Sequence, residues 1–119
     1  MSMSRRSALI GLVGLLLSVE AWSASYVAFE QITVAAASIA LTGTKITPTG
    51  LPMATYASCR LETAQIRWTI DGTVPTTTVG TPLEPGDILE LTGHDLLAQF
   101  RSIRTGATSG TLNCVYVAP

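Results

Sequence analysis

At 119 residues the chain has room for one domain, and the ~95 residues left after removal of a targeting segment would still close a single core. Hydrophobic residues make up 47% and charged residues only 13%, with abundant threonine, which argues against a disordered chain and suits β-structure. The formal net charge is -1, and Lys45, Arg60, Arg67, Arg101 and Arg104 are scattered among acids, so nothing marks nucleic acid as a partner.

Residues 1–24 read as a signal-peptide-like leader. Arg5-Arg6 forms a positive start, Ala8 to Leu17 is apolar, and Ala21, Ser23 and Ala24 suit a cleavage site. Ser4-Arg5-Arg6 also loosely resembles a twin-arginine signal. The apolar run covers about ten to twelve residues, short of the ~20 that cross a bilayer as a helix, so no stable membrane span is expected. An upstream start codon or a helix that docks on a partner are the alternatives to a cleaved export signal.

From Tyr26 the pattern turns to β. Phe29, Ile32 and Val34 are apolar among Glu30, Gln31 and Thr33, and Ile39 and Leu41 follow an alanine run, predicting one or two strands before Thr42-Gly43-Thr44 turns the chain. Pro48, Gly50 and Pro52 make Lys45 to Thr55 a connection, with room for a short strand at Ile46.

The central stretch, Cys59 to Gly80, organises the rest. Ile66, Trp68 and Ile70 alternate with Gln65, Arg67 and Thr69, the period-two pattern of a half-buried strand, which predicts Trp68 and Ile70 in the core and Arg67 outside or at an intermolecular contact. Asp71-Gly72 ends that strand in a tight turn, because glycine takes the positive φ that such a reversal needs. The segment Thr73, Val74, Pro75, Thr76, Thr77, Thr78 and Val79 cannot be a central strand, since proline lacks the ladder donor. Val74 to Leu83 carries no charge to guard an open edge, so this segment is a candidate interface loop.

Pro85-Gly86 predicts a type II turn leading into the alternating run Ile88 to Leu91. Asp95 is placed to cap one short helical turn. Phe100 to Ile103 reads as a strand, Thr105 to Gly110 as its turn, and Leu112 to Val117 as the closing strand. The expected fold is all-β: residues 25–119 form one compact antiparallel sandwich or barrel of about seven to eight short strands.

Catalytic chemistry finds little to use. His94 is the single histidine, and no nucleophile elbow accompanies it. Glu62, Asp71, Glu84, Asp87, Glu90 and Asp95 lie at turns and strand ends with no marked pair, and one histidine with two distant cysteines lacks metal-ligand spacing. Neither catalytic residues, cofactor nor metal are expected. Cys59 and Cys114 fall on two strands that are open to a disulfide if adjacent, and otherwise read as two buried apolar thiols.

Over roughly residues 26–119 the chain resembles small structural proteins of tailed-phage virions, of the head or tail decoration kind. The residues that carry the resemblance are Arg60-Leu61-Glu62-Thr63-Ala64, Ile66-Arg67, Asp71-Gly72-Thr73, Pro75-Thr76, Gly80, Gly86-Asp87, Phe100 to Ile103, Gly110-Thr111-Leu112 and Tyr116. The resemblance implies a non-enzymatic virion protein that packs on a capsid or tail lattice or on copies of itself. The leader and the cysteine pair keep a second expectation open, an exported periplasmic or extracellular β-sandwich module for binding or adhesion.

Overall fold

A computed structural model describes residues 24–119. The leader expected at 1–24 lies outside the described residues except for Ala24. Eight strands form two antiparallel four-stranded sheets. They are β1 (Ser25–Val34), β2 (Ile39–Ala40), β3 (Tyr56–Glu62), β4 (Ile66–Thr69), β5 (Thr81–Leu83), β6 (Ile88–Thr92), β7 (Arg101–Arg104) and β8 (Gly110–Ala118). One sheet has the order β1-β8-β3-β6 and the other β2-β7-β4-β5. We call them the long and the short sheet. Two short helices, α1 (Gly43–Ile46) and α2 (His94–Gln99), fill the ends.

The long sheet is built by alternation. On β8, Gly110, Leu112, Cys114, Tyr116 and Ala118 are buried, and the residues between them are half-buried or exposed. On β3, Ala57, Cys59 and Leu61 point the same way. Register places Leu61 opposite Leu112, Cys59 opposite Cys114 and Ala57 opposite Tyr116, so each inward pair extends one apolar layer across the sheet. Ile66, Leu83, Leu97 and Phe100 close the core from the other side. At Gly110 the two sheets approach closely. A Cβ there would sit 2.7 Å from Ile66 Cγ2 and 2.9 Å from the Ala64 carbonyl oxygen, so only glycine admits this approach.

The turns follow local chemistry. Gly72 takes φ +87, and Asp71 Oδ1 accepts a 3.1 Å bond from the Thr73 N–H, closing an Asx turn at the predicted place. Gly86 takes φ +94, with the Asp87 N–H donating to the Glu84 carbonyl at 3.0 Å, as a Pro-Gly turn requires.

Three local readings change. Ile46 ends a helical turn and is not in a strand, because the Lys45 and Ile46 N–H groups both return to the Thr42 carbonyl. Asp95 does not cap α2. Gly93 holds the N-cap position, and Asp95 lies inside the first turn. Trp68 and Ile70 are half-buried and packed against the core, while Ile66 is fully buried. The ladder explains this gradient. β5 pairs with β4 only from Ile66 to Trp68, so Trp68 and Ile70 sit where the short sheet runs out of neighbours.

Candidate functional site

Four features are built from side chains that carry chemistry, and the first is the cysteine pair. Cys59 and Cys114 are directly opposed on β3 and β8, the two inner strands of the long sheet, with 4.1 Å between their Cα atoms. They are joined by a disulfide, and both are fully buried.

The second feature was not foreseen. Glu30 faces the core from β1, only 8% exposed. The Tyr116 hydroxyl and the Thr42 N–H, the latter at 3.0 Å, donate to its Oε1, and the Thr42 hydroxyl donates to Oε2 at 2.6 Å. A buried carboxylate is tolerated because its oxygens are met by donors. Burial, then the bond to Glu30 and the charge beside it, hold the Tyr116 phenol far above its ordinary pKa. The cluster ties α1 to both strands at one edge of the long sheet. Sequence did hold a signal for it. Ile32 and Val34 share parity with Glu30, not with Phe29, so the inward face of β1 includes the acid and leaves the aromatic outside.

The third feature is the outer face of the long sheet. Register aligns Phe29 with Val115, and Tyr26 with Val117 and Tyr56, in two adjacent rows. Tyr26 is 68% exposed, Phe29 48% and Val115 40%, while Tyr56 and Val117 are half-buried. Beside them, desolvation and the Glu90 carboxylate raise the Tyr56 phenol pKa.

The loop expected at an interface, Thr73 to Val79, is held down from within the chain. Pro75 is fully buried. Arg67, on the outer side of β4, donates from Nε to the Thr77 carbonyl at 3.1 Å and from Nη1 to the Gly80 carbonyl at 2.6 Å. The Thr76 hydroxyl accepts from the Thr78 and Val79 N–H groups, and the Thr76 N–H reaches the Val79 carbonyl at 3.0 Å. Its backbone is thus closed on itself, and what it offers outward is side chains, with Val74 59% and Val79 47% exposed.

Between the root of this loop and the end of β4 lies the fourth feature, a groove of about 280 Å³ lined by Trp68, Thr69, Ile70, Asp71, Gly80 and Thr81. Trp68 stacks on Phe100 with ring centroids 6.4 Å apart. Its buried Nε1 has no acceptor among the described residues, and Arg101 Nε and Ser102 Oγ in neighbouring β7 are likewise unmatched. Bonds from the Thr73 N–H and hydroxyl hold the Asp71 carboxyl below its usual pKa.

Elsewhere, His94 Nδ1 lies 3.0 Å from the Ala54 carbonyl and fastens α2 to the segment before β3. Among the described residues no group of three or more His, Cys, Asp or Glu is placed to hold a metal ion, and no helix is long and apolar enough to cross a membrane. No protein-family model, curated protein or solved structure matches the chain.

Proposed function

We propose that this chain is a non-enzymatic structural protein of a phage virion, acting by packing its sandwich against neighbouring proteins of a capsid or tail lattice. The observation that carries the reading is the aromatic and aliphatic patch of Tyr26, Phe29 and Val115 on the outer face of the long sheet. Aromatic residues on a rigid, sheet-borne surface are the usual energetic centre of a protein contact, since they bury much area with few rotamers to lose. The covalent bond beneath this face keeps it in one shape, which lowers the ordering cost of docking. The Thr73 to Val79 loop offers a second, more polar contact on the other sheet.

The test is co-sedimentation with purified phage particles. Phe29→Asp alters only an exposed side chain and places a charge in the patch, so the variant should fold as the parent does and lose attachment. Attachment equal to the parent's would remove this face from the contact. A parent chain found in no particle by mass spectrometry would end the virion reading.

The disulfide favours a second reading, an exported β-sandwich module for binding or adhesion, because such bonds persist in oxidising compartments. Recovery of the mature chain from periplasm or medium, with its N-terminus near Ser25, would support it over the first.

A further inference from the structure

The edge of a sheet is a row of backbone donors and acceptors, and folds usually blunt it. Here the edge strands are β1 and β6 in the long sheet and β2 and β5 in the short one. β2 has two residues, and β5 has three, one of them Pro82. β1 is longer, but Lys45 Nζ donates to its Phe29 carbonyl at 3.4 Å and its register shifts between Tyr26 and Ala28. β6 has five residues without proline or register shift, and among the described residues it pairs only with β3.

The cysteine pair tells which backbone groups of β6 are open. In an antiparallel ladder, the closely spaced partners are those whose N–H and C=O groups turn away from each other. With Cα atoms 4.1 Å apart, Cys59 and Cys114 are such partners, so the Cys59 groups turn to β6 and meet Leu89. Bonds from the Leu61 N–H to the Asp87 carbonyl at 3.1 Å and from the Gly93 N–H to the Thr55 carbonyl at 2.6 Å keep the same parity. Ile88, Glu90 and Thr92 alternate with these residues, so their N–H and C=O groups face away from β3, and all three residues are exposed.

Side chains narrow what can pair there. From Trp68 to Phe100 the chain holds Asp71, Glu84, Asp87, Glu90 and Asp95 and neither lysine nor arginine. A second copy is disfavoured, because the antiparallel pairing that uses the whole strand, Ile88 against Thr92, sets Glu90 directly opposite Glu90. A lysine or arginine opposite Glu90 is attracted instead, while Arg60, across from Ile88 on β3, disfavours a second cation at that end. Intervening residues of an added strand would lie beside Leu89 and Leu91 on the inward face, both buried, and this calls for aliphatic side chains.

We propose that β6 takes up an extended segment of another protein as a fifth strand of the long sheet, with alternate aliphatic residues inward and one lysine or arginine opposite Glu90. Main-chain bonds to Ile88, Glu90 and Thr92 supply the affinity, and the basic position supplies the selectivity. This edge is separate from the Tyr26, Phe29 and Val115 patch, which lies on β1 and β8 across the sheet, so each contact stands or falls alone.

The experiment is an NMR titration of the ¹⁵N-labelled full chain with the acetylated, amidated peptide Thr-Val-Lys-Val-Thr and with its counterpart carrying Glu in place of Lys. The lysine peptide should shift the Ile88, Glu90 and Thr92 N–H signals saturably and slow their hydrogen exchange, which a contact through side chains alone would not do. The glutamate peptide should bind about fivefold or more weakly, as exchange of an attractive for a repulsive cross-strand pair would give. Glu90→Lys changes an exposed side chain, so the variant should fold and prefer the glutamate peptide. The proposal is overturned if the lysine peptide leaves those three signals unmoved, if it moves them without slowing their exchange, or if Glu90→Lys keeps the parent's preference. Concentration-dependent shifts of the same signals without peptide would overturn it in favour of a second copy.

Discussion

The long sheet joins its inner strands covalently, fills its inward face with aliphatic layers and supplies Glu30, its one buried carboxylate among the described residues, with three donors. The short sheet has strands of two to four residues and relies on side chains to hold its margins: Arg67 to the loop carbonyls, Gln65 to Glu84, and Thr105 to Gln65 at 2.8 Å. The buried polar atoms left unmatched, on Trp68, Arg101 and Ser102, all fall on strands of the short sheet. A sandwich can therefore separate its tasks. The long sheet holds the covalent link and the apolar layers, and the short sheet holds the buried polar atoms that the described residues leave unmatched.

The strongest way to break this contrast is to remove the disulfide. Its sequence separation of 55 residues corresponds to about 4 kcal/mol in the chain-entropy picture, so Cys59→Ala with Cys114→Ala should lower the urea midpoint markedly and steepen the slope, since the unlinked denatured chain exposes more surface. A change below ~1 kcal/mol would show that packing alone secures the long sheet.

On the short sheet, Trp68→Ala is expected to cost about 2–3 kcal/mol, below the ~3–5 of fully buried aromatics, since one side of the ring faces the groove. Denaturant unfolding beside Phe100→Ala, whose side chain is fully buried, gives the comparison. Equal losses would mean that the two rings contribute alike.

Tyr116→Phe removes one donor to Glu30 and should cost about 2 kcal/mol. It also carries a pH signature. The folded phenol keeps its proton above the ~10 at which an unfolded tyrosine releases it, so this stabilisation is complete below pH ~10 and declines as pH rises beyond that. Melting curves from neutral to strongly alkaline pH should show a shallower alkaline decline in the variant than in the parent.

The smallest effect is expected at Thr77→Lys. Thr77 is exposed and contributes its carbonyl, not its side chain, to Arg67, so stability should stay within ~0.5 kcal/mol of the parent. Weakened attachment to phage particles in that variant would show that the loop shares the contact with the long sheet.

Much of this architecture is legible from period and punctuation. Alternation in β3, β6 and β8 marks their inward residues, and Asp71-Gly72 and Pro85-Gly86 mark turns whose geometry depends on glycine. The site residues were harder, for two reasons. Burial of Trp68 and Ile70 depends on how far β5 extends, and β5 stops at Thr81 because the neighbouring loop is drawn over β4 by Arg67. Glu30 is met inside by Tyr116 from 86 residues away and by Thr42 from 12, while Phe29, on the other parity, faces outward. Long-range partners complete both arrangements: parity with Ile32 and Val34 marks the inward side of Glu30, while the donors that meet it and the extent of β5 are not written in the local pattern.

The pairing of Ser25 with Ala118 sets how the molecule would answer a pull on its two ends. β1 and β8 run antiparallel with those ends side by side, so tension applied there opens the ladder one rung at a time and does not shear it all at once. The Cys59–Cys114 link then bounds how far the chain can be drawn out. Residues 25–58 can be peeled away, while everything between the two cysteines stays looped behind a covalent clasp that carries the load from one end to the other. A domain wired this way yields early at its first strand and then stops lengthening.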